Sequence, residues 1–121
     1  FQEFIEEIFK KEKIESSLID IRANSMKIID NKLTLSFLTD ECEHGCANCK
    51  YSHVLEYKKK GNKIIYIGDG LSDIFPAREL ADVIFAKERE DLAEKLKGDP
   101  RVIEFSNFSE IQTILNEKYF N

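Results

Sequence analysis

A chain of 121 residues is one domain or a piece of one, near the lower end for a parallel α/β unit. Hydrophobic residues at 42% and charged residues at 34%, with five Gly and two Pro, are a globular composition and exclude a disordered chain. A net charge of −5 without a dense Lys/Arg stripe argues against a nucleic-acid partner, and no run approaches the ~18 apolar residues of a membrane span.

The chain opens Phe1-Gln2-Glu3-Phe4, without an initiator Met or the basic and apolar regions of a signal peptide, and reads as cut mid-domain. Phe1, Phe4, Ile5, Ile8 and Phe9 recur at helical spacing, which predicts an amphipathic helix to about residue 12. From Leu18 the period becomes two. Residues 18–23 read as a strand, and 26–29 with 33–37 as a hairpin around Asp30-Asn31. Together 18–38 form a small β-rich insert, followed by a cysteine-bearing loop at 39–49. Residues 50–60 have helical character and stop at Gly61, a natural residue just past a helix end. The only basic run, Lys58-Lys59-Lys60, suits a solvated helix C-terminus.

Lys63–Ile67 is almost wholly apolar and bounded by Gly61 and Gly68, as a strand buried on both faces of a parallel sheet would be. A helix at about 74–80, a strand at 82–85, a helix at about 88–97, a strand at 101–105 and a helix at about 107–119 follow. Ser106 or Asn107 is the candidate N-cap of the last helix. Three β-then-α units joined by short loops indicate an α/β fold with a doubly wound parallel sheet.

The sharpest local signal is Gly68-Asp69-Gly70-Leu71-Ser72-Asp73, directly after the buried strand and before a helix. In an open α/β sheet that carboxyl end is where ligands bind. Flanking glycines permit a tight turn, and Asp69 and Asp73 can converge on one hard cation such as Mg²⁺, which takes one or two carboxylates and keeps several waters. An ordinary Gly/Asp turn with Asp73 as a helix N-cap fits the same spacing. Lys50, 19 residues before Asp69, starts the helix that leads back into this strand and could reach the same crevice.

Cys49-Lys50, the helix after it, Ile64–Asp73 and Ala81-Asp82-Val83-Ile84-Phe85-Ala86-Lys87 form an ordered series that resembles the haloacid dehalogenase superfamily. Within it the series is similar to the branch of phosphoserine phosphatases and 2-hydroxy-3-keto-5-methylthiopentenyl-1-phosphate phosphatases. The resemblance covers about residues 40–115. It implies a Rossmannoid three-layer sandwich and Mg²⁺-dependent hydrolysis of a small phosphorylated metabolite through an aspartyl-phosphate. It also implies that Asp69 ligates the metal directly and Asp73 supports the metal shell. Lys50 would neutralise the nucleophile and the phosphoryl oxygens; Ser72 keeps only a turn or capping role.

The departure from that family is equally specific. Its nucleophile lies in an Asp-x-Asp-x-(Thr/Val) segment, and covalent catalysis through an aspartyl-phosphate needs that carboxylate. No such segment occurs in 1–121, nor does the phosphate-gripping Ser or Thr before the next helix. The expectation is therefore a single partial domain, inactive alone, completed by a preceding segment or a second chain that covers the edge of the strand at 63–67.

Cys42, His44, Cys46 and Cys49 offer three thiols and an imidazole within eight residues, enough for a tetrahedral Zn²⁺ site, though the spacing is tighter than the usual two-knuckle pattern. A reduced, cysteine-rich loop is the alternative, and three clustered cysteines point to a reducing cytoplasm rather than a secreted disulfide framework. His53, a turn after Lys50, suits a surface or core-rim position, and Asn24, between strand segments, is a candidate substrate contact. The rival to the phosphatase is a zinc-stapled, non-catalytic interaction module.

Overall fold

The computed structural model of the chain describes residues 1–38 and 48–120. The chain divides into two compact units, Phe1–Cys49 and Lys50–Asn121.

The first unit holds helix α1 (Gln2–Lys11) and the antiparallel hairpin β1 (Ser25–Ile29) and β2 (Lys32–Ser36). Met26 pairs with Leu35 and Ile28 with Leu33, so one hairpin face is apolar and the intervening positions are mostly polar. Asp30 and Asn31 both take positive φ, 49° and 59°, the left-handed pair of a two-residue hairpin turn. Glu3 of α1 accepts from the Ser25 hydroxyl and, at 3.0 Å, from the Met26 N–H, which ties helix to hairpin. The hydroxyl bond, with the backbone donors, holds the Glu3 carboxyl below the usual range. No residue of α1 is buried.

The strand expected at 18–23 does not form. Alternation gives a sequence two faces, but a strand needs a neighbouring edge to satisfy its backbone. Among the described residues no strand forms a ladder with this stretch. Leu18 is exposed, and Asp20 and Arg22 bond each other at 2.8 Å instead.

The second unit is mixed α/β around a three-stranded parallel sheet in the order β3 (Ile65–Gly68), β4 (Val83–Lys87), β5 (Val102–Phe105). Its helices are α2 (Lys50–Lys59), α3 (Ile74–Leu80), α4 (Asp91–Lys95) and α5 (Phe108–Lys118), with a 3₁₀ turn at Leu71–Asp73. The period of two divides each strand between two cores. Tyr66, Ile84 and Ala86 pack with Ala77 of α3 and Leu92 and Ala93 of α4. Val83, Phe85 and Phe105 pack on the opposite face with Ile111 of α5. The central strand β4 is buried from Val83 to Ala86, which explains its unbroken apolar run; full burial of side chains such as Ile84 and Phe85 contributes about 2 kcal/mol each.

Boundaries shift for local reasons. Lys63 is exposed and the Ile64 N–H is taken by Asp82 Oδ2 at 2.7 Å, so β3 begins at Ile65. The same Asp82 carboxylate accepts from Lys58 at 2.9 Å, joining the end of α2 to the turn before β4. Helix α4 is short because Arg89 turns through positive φ before it and Gly98 at φ 90° follows it. Gly61, at φ 86°, ends α2 as its sequence position suggested. Asn107, not Ser106, caps α5: its side chain accepts the Glu110 N–H at 3.2 Å. No described helix is long and apolar enough to cross a membrane.

Candidate active site at the end of the first parallel strand

Strand β3 delivers the chain to Gly68, and Asp69 and Gly70 lead into the 3₁₀ turn that carries Asp73 and opens α3. Asp73 is buried, 3% exposed, and its carboxylate collects four donors. Oδ2 accepts the backbone N–H groups of Asp69 and Gly70, each at 3.0 Å. Oδ1 accepts Lys50 Nζ at 2.7 Å and the Tyr66 hydroxyl at 2.7 Å. An ionised carboxylate has about four acceptor positions, so the group is saturated. It makes no capping bond to α3. Its work is to close the loop on itself and to hold Lys50.

The electrostatics follow from this packing. Burial pushes the Asp73 carboxyl up, but hydrogen bonds from Lys50, Tyr66 and the two backbone N–H groups outweigh it and leave it below the usual range. Burial first, and then the bond to ionised Asp73, raises Tyr66, which keeps its proton and stays a donor. Lys50, at the first position of α2, also contacts Ser72 Oγ at 3.0 Å, while its side chain remains 47% exposed.

The glycines act differently from what tight-turn reasoning predicts. Neither Gly68 nor Gly70 has positive φ. Gly68 is needed for space, because a Cβ there would stand 2.7 Å from Asp73 Cγ. Gly70 is extended, with open space where its Cβ would be.

Asp69 is exposed, and its backbone carbonyl accepts the Leu92 N–H at 2.9 Å, which anchors the loop to the first turn of α4. Asp69 lines a cleft of about 630 Å³ at the carboxyl ends of the strands. Ile67, Phe105 and Phe108 supply the apolar wall of this cleft; Lys87, Glu90 and Asn107 supply polar groups. For Mg²⁺, the residues present fit part of a coordination shell: Asp69 offers one exposed carboxylate, and Asp73 is committed to its four donors. No group of three His, Cys, Asp or Glu side chains suited to a metal occurs among the described residues.

Of the other sequence candidates, Cys42, His44 and Cys46 lie outside the described residues, and Cys49 is buried. His53 is half-buried on α2. Asn24 has a local task in the first unit: its Oδ1 accepts the Leu38 N–H at 3.1 Å and its carbonyl the Gln2 N–H at 2.8 Å. Sequence reasoning missed Tyr66. The available signal was a hydroxyl set in the otherwise apolar run Ile64-Ile65-Tyr66-Ile67, since a buried tyrosine needs a partner for its O–H.

Comparison with protein-family models, with characterised proteins and with solved structures found no match to this chain.

Proposed function

We propose that the chain is the C-terminal part of a magnesium-dependent phosphomonoester hydrolase of the haloacid dehalogenase type, acting on a small phosphorylated metabolite. The observation that carries this reading is the ion pair of Lys50 and Asp73, 23 residues apart, made within the loop that presents Asp69 to the cleft. An ordinary Gly/Asp turn requires no distant lysine. On this reading the sheet is part of a larger Rossmannoid sandwich, and the strand bearing the nucleophile lies outside residues 1–121.

Each residue then has a defined task. Asp69 holds the cation. Asp73 fixes the Asp69–Gly70 backbone and anchors Lys50. The Lys50 ammonium, which bonds Asp73 and Ser72 here, sits on a flexible, half-exposed stem and can turn its donors to a phosphoryl oxygen. Magnesium, when bound, offsets charge on the transferring phosphoryl group. A carboxylate from outside this chain attacks phosphorus, the alcohol departs, and water then cleaves the aspartyl-phosphate.

The test is hydrolysis of a generic aryl phosphate by the full-length protein, with and without Mg²⁺. Magnesium-dependent turnover that Asp69→Asn abolishes is expected. Turnover unchanged in Asp69→Asn would overturn the assignment.

A further inference from the structure

We infer that Tyr66 is a positioning residue that keeps Asp73 hydrogen-bonded while Lys50 turns its ammonium from Asp73 to a bound anion. The inference rests on the hydrolase reading only for the identity of that anion, a phosphoryl group.

Four donors surround the Asp73 carboxylate. Both backbone donors serve Oδ2 and are fixed by the loop. Oδ1 is served by two side chains of opposite character. Lys50 is a charge on a flexible stem, its side chain 47% exposed while that of Asp73 is 4% exposed, so it can exchange one acceptor for another at little cost. Tyr66 is buried in β3, packed against Ala77, Ile84 and Leu92, and cannot leave. If Lys50 were the only donor to Oδ1, engaging a ligand would strand a buried carboxylate oxygen, which is the costly way to break such a pair. With the Tyr66 hydroxyl 2.7 Å away, the oxygen stays paired throughout.

The identity of the residue supports the same point. Phenylalanine would fill this apolar strand position equally well, so the hydroxyl is the feature that requires an explanation, and its bond goes to Asp73 Oδ1. A phenol carries its proton at neutral pH, so it remains a donor whether or not Lys50 is in place.

The decisive experiment is a double-mutant cycle on the whole chain with Tyr66→Phe and Lys50→Met, read by urea unfolding. Either single variant leaves one donor on Oδ1, whereas the double variant leaves none. A loss in the double variant clearly greater than the sum of the single losses is expected; additive losses overturn the inference, because a packing role for Tyr66 would be independent of Lys50. Should the double variant not fold, the salt dependence of Tyr66→Phe replaces the cycle. With Lys50 as the sole donor to Oδ1, its stability should fall more steeply with added NaCl than that of the wild type, and equal slopes overturn the inference.

The ligand arm titrates inorganic phosphate, in the presence of Mg²⁺, onto the full-length protein. Binding about five-fold weaker in Tyr66→Phe is expected, the loss of one hydrogen bond's net contribution. Equal binding by wild type and Tyr66→Phe overturns the inference. Absence of phosphate binding in the wild type would instead sink the hydrolase reading, with the cycle still deciding the role of Tyr66.

Discussion

Gly68 leaves the space that Asp73 fills: a Cβ built on residue 68 would lie 2.7 Å from both Cγ and Oδ2 of Asp73. That carboxylate cannot retreat, because four donors hold it. Gly68→Ala should therefore destabilise the second unit by about 1–3 kcal/mol, the usual cost of overpacking. Gly70→Ala is the control, since nothing lies within 4 Å of its Cβ position and its φ of −106° suits any residue. Thermal unfolding of the two variants checks the contrast, and equal melting temperatures would refute it.

The titration of Asp73 gives a sign for the acid limb. Burial raises this carboxyl from its ordinary 3.8, but its hydrogen bonds outweigh burial and hold it lower in the folded chain. A depressed carboxylate contributes stability in full above the ordinary value and loses it as pH falls through the folded one. Unfolding free energy should accordingly decline below about pH 4, and Asp73→Asn should flatten that decline. Tyr66 runs the other way. Raised by burial and by Asp73 from an ordinary 10.0, it contributes stability in full below pH 10 and loses it as pH climbs beyond, so Tyr66→Phe should flatten the alkaline limb. Urea unfolding across pH checks both; an acid limb of unchanged slope in Asp73→Asn would refute the first.

Periodicity and turn chemistry made most elements legible, but not the partners that strands and side chains choose. The run 63–67 reads as a strand buried on both faces, yet in the described sheet it lies at the edge with Ile67 exposed; the strand at 82–85 takes the centre and is the one buried on both faces. The stretch 18–23 alternates as well, but no strand among the described residues pairs with it, which local pattern cannot report. At the candidate site, the spacing of Asp69 and Asp73 allowed both carboxylates to converge on one cation. Folding makes them unlike, because Asp73 points at its own loop, Tyr66 and Lys50, whereas Asp69 is exposed. Tyr66 entered the site through a contact across seven residues, within a run that reads as core.

The hairpin turn offers a gain in stability. Asp30 and Asn31 both occupy the left-handed region, which costs a residue with a side chain more than it costs glycine. Asp-Gly is a preferred pair for such a two-residue turn. Asn31→Gly should strengthen the hairpin by about 0.5 kcal/mol, the gain from removing part of that strain. Slower amide hydrogen exchange across the Ile28–Leu33 pairing is the readout, and faster exchange would mean that the entropy of glycine prevails.

Arg101 staples the end of α3 to the start of β5, and the source of its contribution can be separated. Its guanidinium donates to the Ala81 carbonyl at 2.8 Å and to the Arg78 carbonyl at 2.9 Å, while bonding Asp99 at 2.6 Å. The final carbonyls of a helix have no intrahelical donor, so these two bonds satisfy groups the helix leaves open. The Asp99 pair is partly exposed and screened, and contributes little. Arg101→Ala should then cost about 1–2 kcal/mol, chiefly from the carbonyl bonds. Arg101→Lys should recover only part of this, because an ammonium lacks the fork that reaches both carbonyls and the carboxylate together. Urea unfolding at low and high salt separates the two sources. A loss that persists in 1 M NaCl, where the Debye length shrinks to about 3 Å, marks the carbonyl bonds; a loss that vanishes there would assign it to the ion pair with Asp99.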